Sequence, residues 1–383
     1  MIINSDLCTG CMACANSCAK KAISVECDSE GFYVPKVDED KCVNCGICDK
    51  VCPINSKPSG EHGYCQKYFW VKLKDREKRF LSQSGGMGQA LYDYALSNDG
   101  VVYGAGFDDD WNVIHKRVDK KSEVRELYCS KYVQSDFSKV YENVENDLRN
   151  PIVRSVLVVG TPCQIAGLKK WVINKRMDSE KLITVDLICH GVPSPGFWKD
   201  YLTNLKKKGK ISKVVFRDKT FGWSSHVETY KIGHSLIHTK KFTKLFYFEV
   251  LSRKSCMKCE YCSFERYSDI TIADYWGYKG QGLTYDSAGI SQVLINTSKG
   301  EKLFNSISNI CEFQQLEKEQ VKQRNLNTPT EVDINKRNKF WADYKQYGYD
   351  YIDKYWIKES IKEKILLDIK YKYKKIKRGL FRK

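Results

Sequence analysis

A cysteine pattern that occurs twice within the first 53 residues constrains this chain more than any other feature. Its copies are Cys8-x2-Cys11-x2-Cys14-x3-Cys18 and Cys42-x2-Cys45-x2-Cys48-x3-Cys52, and Pro53 follows the second. In such a pattern three closely spaced cysteines bind one [4Fe-4S] cluster, and the fourth ligates the other cluster. The sequence therefore predicts two clusters, one held by Cys8, Cys11, Cys14 and Cys52 and the other by Cys42, Cys45, Cys48 and Cys18.

Zinc knuckles and disulfides are the alternatives for this pattern. Zinc sites usually use two spaced pairs of ligands, and disulfides need an oxidising compartment. Three closely spaced cysteines followed by a fourth, with the same spacing in both copies, favour iron–sulfur clusters. Gly10 and Gly46 are expected where the loop backbone approaches the inorganic core. Ala19 stands where the pattern usually has proline, a departure that removes no ligand.

Cysteine usage also indicates a compartment. The chain has 383 residues and 17 cysteines, most of them in metal-type spacings, which is typical of a reducing and anaerobic setting. Met1 to Asp6 lacks the features of a signal peptide, and no stretch is apolar enough to span a bilayer. We therefore expect a cytoplasmic protein.

Positive charge is concentrated at the C-terminal end. Residues Lys354 to Lys383 contain twelve Lys or Arg and three acidic residues, so they carry +9 of the net +17. The rest is only mildly basic, which argues against a nucleic-acid partner. Within this tail, isoleucines recur at helical spacing, at Ile357, Ile361, Ile365 and Ile369. The favoured interpretation is a solvated terminal helix packed on the body through its isoleucines. Peripheral contact with an anionic membrane, or with an acidic partner, is the alternative.

A glycine-rich stretch follows the first predicted strand of the larger region. That strand covers Tyr68 to Leu73, a charged turn is predicted around Asp75 to Arg79, and Ser84-Gly85-Gly86 then opens a helix. Free backbone N–H groups at a helix N-terminus bind phosphate. A phosphate site and a simple loop are both consistent with this stretch.

Two buried strands each lead into a helix through a turn that contains a cysteine. The strand at residues 155–160 is followed by Cys163, and the strand at 182–188 by Cys189. Because ligands bind at the carboxyl ends of strands in α/β sheets, we expect both cysteines at one site. The helix N-terminus also favours the thiolate form of Cys163.

A further group, Cys256-x2-Cys259-x2-Cys262, has too few cysteines to hold a cubane alone. Cys163 and Cys189 are the candidate donors that would complete a third [4Fe-4S] cluster. A zinc site or a loop of free thiols is the alternative. The remaining cysteines, Cys27, Cys65, Cys129 and Cys311, lack metal spacing and are interpreted as structural or as substrate-side thiols.

An ordered set of motifs resembles the family of coenzyme F420 hydrogenase/dehydrogenase beta subunits. The motifs are Ser84-Gly85-Gly86, Ser130 to Ser135, Gly160 to Gly167, Asp186 to Ser194, Phe216 to Lys219, Cys256-x2-Cys259 and Ser268 to Thr271. The resemblance runs from about Phe80 to Asn309. It implies a small α+β dicluster ferredoxin domain (1–56), a linker and first strand (57–79), a larger α/β flavin and iron–sulfur domain (80–320), and an extension with a basic C-terminal helix (321–383).

The resemblance also implies cofactors and site residues. It implies a third cluster held by Cys163, Cys189, Cys256 and Cys259, with Cys262 as an alternative ligand, and an FAD site, with FMN as the alternative. The flavin-site residues are Ser84, Gly85, Gly86, Lys131, Tyr132, Gln134, Ser135 and Thr161. His190 is either a proton donor to reduced flavin or substrate, or a hydrogen-bonding neighbour of a ligand cysteine.

Together these features predict an iron–sulfur flavoprotein oxidoreductase that passes electrons between ferredoxin-type clusters and FAD. The resemblance implies coenzyme F420 as its hydride partner. An organic metabolite is the alternative, because bacterial relatives are encoded near genes for surface polysaccharide synthesis. Ferredoxin or a partner enzyme is a further expected partner. The alternative is an electron-transfer subunit that has no substrate site of its own and delivers electrons to a docked enzyme.

Overall fold

The computed structural model describes residues 6–59 and 64–380, which form thirteen β-strands and eleven α-helices. The strands are β1 Ile23–Cys27, β2 Tyr33–Val37, β3 Lys67–Leu73, β4 Val101–Phe107, β5 Val113–Val118, β6 Val156–Gly160, β7 Leu182–Leu187, β8 Ile211–Val215, β9 Glu228–Ile232, β10 Ser235–Thr239, β11 Ile270–Asp274, β12 Ser291–Ile295 and β13 Cys311–Leu316. The helices are α1 Ala13–Ser17, α2 Ile47–Lys50, α3 Arg76–Leu81, α4 Met87–Ser97, α5 Val140–Arg149, α6 Pro162–Asn174, α7 Pro195–Lys206, α8 Lys241–Tyr247, α9 Ser298–Ile307, α10 Ile334–Tyr355 and α11 Ile361–Leu380.

An eight-stranded mixed sheet forms the centre of the molecule, in the order β13-β3-β12-β11-β7-β6-β4-β5. Its middle strands β11, β7, β6 and β4 are parallel to one another, and the outer strands are antiparallel to their neighbours. Every residue of β6 is buried, as expected for a strand covered on both faces. The carboxyl ends of the parallel strands therefore share one edge of the sheet.

The two cysteine motifs form a small unit that packs against one face of this sheet. Its only regular strands among the described residues are the antiparallel pair β1 and β2. Met12 and Ala13 share a hydrophobic core with α5 and α6, the Tyr141 hydroxyl donates to the Cys11 carbonyl at 2.6 Å, and Trp171 Nε1 donates to the Asn16 carbonyl at 3.2 Å. The ferredoxin-like unit is thus docked on the larger domain.

A second layer completes the molecule. The antiparallel sheet β10-β9-β8 packs with α7, α8 and α10 around a core that is rich in aromatic side chains. Arg337 of α10 is 1% exposed and pairs with Glu30 of the ferredoxin-like unit, with Nη1 and Oε1 3.0 Å apart. The predicted fold class, α/β with an N-terminal ferredoxin domain and a C-terminal helix, is confirmed.

Two local predictions are wrong. The segment around Asp75 to Arg79 is not a turn but the start of α3, because Asp75 accepts hydrogen bonds from the amides of Glu77 and Lys78 and caps a helix. In the tail, Ile357 is buried as predicted, but the isoleucines of α11 are not packed on the body and point to solvent. No helix in the described part of the chain is long and apolar enough to cross a membrane.

Candidate cofactor sites

The first cysteine loop surrounds a cavity of about 180 Å³. Four cysteines line it: Cys8, Cys11, Cys14 and Cys52. Burial raises the pKa of Cys11, and a neighbouring Cys14 thiol raises it further. These are the four cysteines that the motif spacing assigned to one cluster, and among the described residues no lysine or acidic side chain lines the cavity.

The other four motif cysteines lie on the outer side of the ferredoxin-like unit. Cys18 follows α1 and accepts a hydrogen bond from the Ala22 amide at 3.3 Å, while Cys42, Cys45 and Cys48 surround the start of α2. Cys45 is exposed and the other three are half-buried. Between the two sets, Cys14 is close enough to Cys48 for the Cys48 thiol to raise the pKa of Cys14.

A third group brings five cysteines together at the carboxyl edge of the large sheet. Cys163 is in the first turn of α6, Cys189 follows β7, and the others lie in the loop after α8, at Cys256, Cys259 and Cys262. Burial raises the pKa of Cys189, and the thiols of Cys256, Cys163 and Cys259 raise it further. The described residues contain no group of three or more His, Cys, Asp or Glu side chains arranged around one metal-ion position.

Cys262 is the fifth member of this group. Its thiol and that of Cys259 form a hydrogen bond, which raises the pKa of Cys259 and lowers that of Cys262. Asn325 also lies 3.9 Å from Cys262 Sγ. The structure therefore brings together the four cysteines implied as ligands and the alternative one.

The five-cysteine group and the first cysteine loop are neighbours. A Cβ atom added to Gly167 of α6 would lie 2.8 Å from Cys11 Sγ, so glycine allows the loop to approach the helix closely. Tyr261 lies between the two sites, where its hydroxyl donates to the Pro53 carbonyl at 2.9 Å and its ring packs beside Cys163 and Cys259. Short electron-transfer distances between the two sites would follow from this contact.

A larger cavity, of about 270 Å³, opens at the same edge of the sheet. Residues from the carboxyl ends of β6, β7 and β11 form one wall. Ten residues predicted as ligands or site residues line it: Ser84, Gly86, Lys131, Tyr132, Gln134, Ser135, Thr161, Cys163, Cys189 and His190. Gly85 does not line the cavity, because its backbone packs against β3, where an added Cβ would lie 2.3 Å from the Val71 carbonyl oxygen.

One end of this cavity meets the N-terminus of α4. Gly86 has φ +94° and precedes the helix, which has no side-chain cap. Beside it, both amide atoms of Gln83 and the Oε1 atom of Gln89 are buried and have no hydrogen-bond partner among the described residues. Buried polar atoms are normally paired, so this end of the cavity has the chemistry to bind a polar, anionic group.

Two buried lysines flank that end. Lys131 donates to the Glu126 and Tyr128 carbonyls at 2.9 and 2.8 Å, and burial lowers its pKa to about 8. Lys219 donates to the carbonyls of Arg79, Ser84 and Ala288 and so holds the glycine-rich segment in place. From the sequence, Lys219 was named only as part of the motif Phe216 to Lys219. Its acidic neighbour Asp218 and the turn that follows were the sequence features that could have indicated its role.

The remaining predicted flavin residues are held by hydrogen bonds. The Gln134 amide donates to the Thr9 carbonyl at 3.0 Å and accepts from Arg253 at 3.0 Å, which links the cavity wall to the first cysteine loop. Gln164 donates to Ser135 Oγ at 3.0 Å and accepts from the Thr161 hydroxyl at 3.0 Å. The sequence analysis assigned no role to Arg253 or Gln164.

The end of the cavity beside Asp274 is lined by aromatic and polar side chains. Tyr132 accepts a hydrogen bond from Arg217 at 3.1 Å, and Arg217 pairs with Asp274 at 2.7 Å. Trp276 lines the cavity and stacks on Trp223, which lies outside it, with ring centroids 4.8 Å apart. At this end His190 also faces the cavity, and loss of hydration lowers its pKa.

Comparisons with known proteins agree with this organisation. Residues 7–56 match the 4Fe-4S dicluster domain, and residues 153–319 match the family described as the C terminus of the coenzyme F420 hydrogenase/dehydrogenase beta subunit. The chain is 26% identical over 377 residues to a coenzyme F420-dependent sulfite reductase of Methanocaldococcus jannaschii, in a match that covers 93% of this chain and 53% of that protein. It is 23% identical to an F(420)H(2) dehydrogenase subunit of Methanosarcina mazei, over 57% of this chain and 61% of the relative.

The chain thus spans about half to three fifths of the length of these relatives. A chain in a solved structure of the F420-reducing [NiFe] hydrogenase complex from Methanosarcina barkeri aligns with a TM-score of 0.47 and 18% identity, covering 76% of this chain and 93% of that one. The resemblance found in the sequence is confirmed by the two family matches. The chain thus contains two regions that match known families: residues 7–56 match a 4Fe-4S dicluster domain, and residues 153–319 match the C terminus of the coenzyme F420 hydrogenase/dehydrogenase beta subunit.

Proposed function

We propose that this protein is an iron–sulfur flavoprotein oxidoreductase. The observation that carries the proposal is a shared wall: Cys163 and Cys189 belong both to the five-cysteine group and to the lining of the large cavity. A redox cluster at these cysteines would lie directly beside whatever occupies the cavity. The family matches support an iron–sulfur oxidoreductase related to F420-linked enzymes.

Iron–sulfur clusters fit the cysteine groups in number and position. Cys8, Cys11, Cys14 and Cys52 surround a cavity, the other four motif cysteines include one exposed and three half-buried thiols, and the third group has five cysteines. We propose two [4Fe-4S] clusters in the ferredoxin-like unit and a third held by Cys163, Cys189, Cys256 and Cys259. The contact between Cys11 and Gly167 supports electron transfer between the first and third clusters, because transfer is efficient only over short distances.

A flavin fits the large cavity. The backbone N–H groups at the N-terminus of α4 and the unpaired Nε2 of Gln83 would donate to the pyrophosphate of FAD, which FMN lacks. Lys131 has two carbonyl partners and a third N–H free to donate to an anionic group. The chemistry that a flavin supplies here is exchange between hydride transfer and one-electron transfer.

The end of the cavity beside Asp274 is the proposed substrate site. Coenzyme F420 is the first candidate hydride partner, because both curated relatives are named for it. An organic metabolite is the second candidate, and neither fold nor comparisons support a link to surface polysaccharide synthesis. His190 remains a proposed proton donor at this end. The domain boundaries and the cytoplasmic location stay predictions.

An electron-transfer subunit without its own substrate is the alternative function. The exposed position of the second cysteine group would suit delivery of electrons to a docked ferredoxin or partner enzyme. The open cavity beside the third cysteine group favours the enzyme instead, because a carrier needs no such space.

The first test is anaerobic purification followed by measurement of iron, sulfide and flavin. We expect about twelve irons and one flavin per chain. In a Cys163→Ser variant roughly a third of the iron should be lost while flavin is kept, and an exposed cysteine, in a Cys65→Ser variant, provides the control. Full iron content in the Cys163→Ser variant would contradict the third cluster.

The second test identifies the partner. The purified protein is mixed with reduced F420, NADPH or reduced ferredoxin while flavin absorbance is followed. Rapid bleaching by reduced F420 supports an F420 oxidoreductase, and bleaching by ferredoxin alone directs attention to an organic acceptor. A Lys131→Met variant should bind flavin more weakly, and unchanged flavin binding would remove Lys131 from the site.

A further inference from the structure

Helix α11 presents an apolar surface to solvent. Six of its side chains are large, apolar and at least half exposed: Ile361 at 75%, Ile365 at 53%, Leu366 at 50%, Ile369 at 58%, Tyr373 at 64% and Ile376 at 65%. At about 100° of rotation per residue, these six lie within one arc of about 140°. We call this surface the apolar arc.

The apolar arc is not the face by which α11 is attached to the body. Tyr371 stacks on His238 of β10 with ring centroids 4.2 Å apart, and Lys374 donates to the Phe221 carbonyl at 2.7 Å. Both residues are on the side of the helix opposite the arc. The helix is therefore docked by one face and leaves the apolar arc turned outward.

Charge in and around the arc is mostly positive. Lys362 and Lys372 lie within the arc, and Lys370 and Lys377 lie along one margin. The helix has two acidic residues, of which Asp368 lies about 20° outside the other margin of the arc. Glu363 accepts from the Ser360 amide at 2.8 Å at the start of the helix, and Asp368 is near His238.

We propose that α11 binds the surface of an anionic lipid bilayer. An apolar stripe bordered by lysines is the chemistry of a helix that lies in the membrane interface, with its isoleucines at the acyl boundary and its lysines at the lipid phosphates. The apolar arc is too short to span the bilayer, so the contact is peripheral. A second copy of this chain would place lysines against lysines, which opposes dimerisation through this face.

The test uses the full-length protein, purified anaerobically with its cofactors, and two kinds of vesicle. We expect flotation with vesicles of phosphatidylcholine mixed with phosphatidylglycerol, little flotation with pure phosphatidylcholine, and release by salt. An Ile365→Ser/Ile369→Ser variant should lower the partition coefficient at least about tenfold. A Lys362→Gln/Lys372→Gln variant should lower it by about fivefold per lysine.

A matched control separates this effect from loss of surface hydrophobicity in general. Ile152 and Ile173 are exposed by 79% and 59% outside α11, and an Ile152→Ser/Ile173→Ser variant should float like the unaltered protein. Unchanged iron and flavin content shows that each variant is folded. Absence of binding to anionic vesicles would overturn the proposal, as would a dimer in sedimentation that the Ile365→Ser/Ile369→Ser variant dissociates.

Discussion

The two cysteine loops have one motif and one backbone conformation but very different surroundings. In the first loop Gly10 and Met12 have positive φ, at +66° and +67°, and in the second the equivalent residues Asn44 and Gly46 have +52° and +71°. Glycine therefore occupies a different position of the motif in each loop. Both positions are left-handed, so conformation alone does not explain where the glycines are.

Packing explains why glycine occupies a different position in each loop. A Cβ added to Gly10 would lie 2.6 Å from Gln134 Nε2 and 2.9 Å from the Tyr33 carbonyl oxygen, whereas nothing lies within 4 Å of one added to Gly46. Met12 is 2% exposed, while Val43 of the second loop is 59% exposed. The motif determines the shape of each loop, and the packing around it, by Tyr33 of β2 and by Gln134 of the larger domain, determines which position must be glycine.

Exchanging the residues at positions Gly10 and Asn44 tests this comparison between the two loops. This exchange has the largest expected effect on stability. Gly10→Asn should destabilise the protein by at least about 3 kcal/mol, because the backbone of Tyr33 cannot make room for a side chain. Asn44→Gly should change stability by less than about 1 kcal/mol. Thermal unfolding midpoints and bound iron, measured anaerobically, report both. Equal effects would show that the first loop is no more constrained than the second.

Exchanging the residues at the other left-handed position of the loops, Met12 and Gly46, should have a smaller effect on stability. Met12→Gly should cost about 2–3 kcal/mol, since a buried side chain is lost and only part of that cost is offset by relief of its left-handed conformation. Gly46→Met should cost about 1 kcal/mol, because only the conformational term applies. Denaturant unfolding measures both variants. A larger loss for Gly46→Met would reverse the comparison.

Arg253 tests the docking that buries the first loop. Its guanidinium is buried and donates to the Cys8 carbonyl at 2.6 Å and to Gln134 at 3.0 Å, so Arg253→Met should cost about 2 kcal/mol. The adjacent Lys254 forms an exposed pair with Asp6 at 3.4 Å, and Lys254→Met should cost less than about 0.5 kcal/mol. Unfolding midpoints compare the two. Equal losses would mean that the loop is held by other contacts.

Iron removal also tests the comparison between the two loops. Among these tests it has the smallest expected effect on stability. A chelator should remove iron in two phases, and the fast phase should come from the exposed second cysteine group. Cys45→Ser should abolish the fast phase, and Cys11→Ser should abolish part of the slow one. Absorbance of the iron–chelator complex follows both phases. A fast phase that survives in the Cys45→Ser variant would contradict the assignment.

Much of the fold was predictable because several elements have clear periodicity. The strands β3, β6 and β7 were located within one residue of their bounds. Helix α10 was missed because it is largely polar, and only four of its residues are buried, Arg337, Phe340, Trp341 and Ile352. Strand β13 was missed because it is an edge strand buried only at its two ends, which gives no alternation.

The candidate site was predictable in its residues but not in its connections. The cysteines and the residues of the large cavity were named from motifs, and their roles as ligands stay predictions, while Gly85 packs against β3 and does not line the cavity. The link from Arg253 through Gln134 to the first cysteine loop joins positions more than 100 residues apart, and no local pattern records such contacts.

The sequence by itself determined the cysteine groups, the alternation of strands and helices and the resemblance to a family, because spacing and periodicity are local properties of the chain. Only the tertiary structure decided which cysteine loop is buried, which face of α11 is left outward, and that the third cysteine group shares a wall with the large cavity. Burial depends on what the rest of the molecule brings to each surface, and that is a property of the whole fold rather than of any segment.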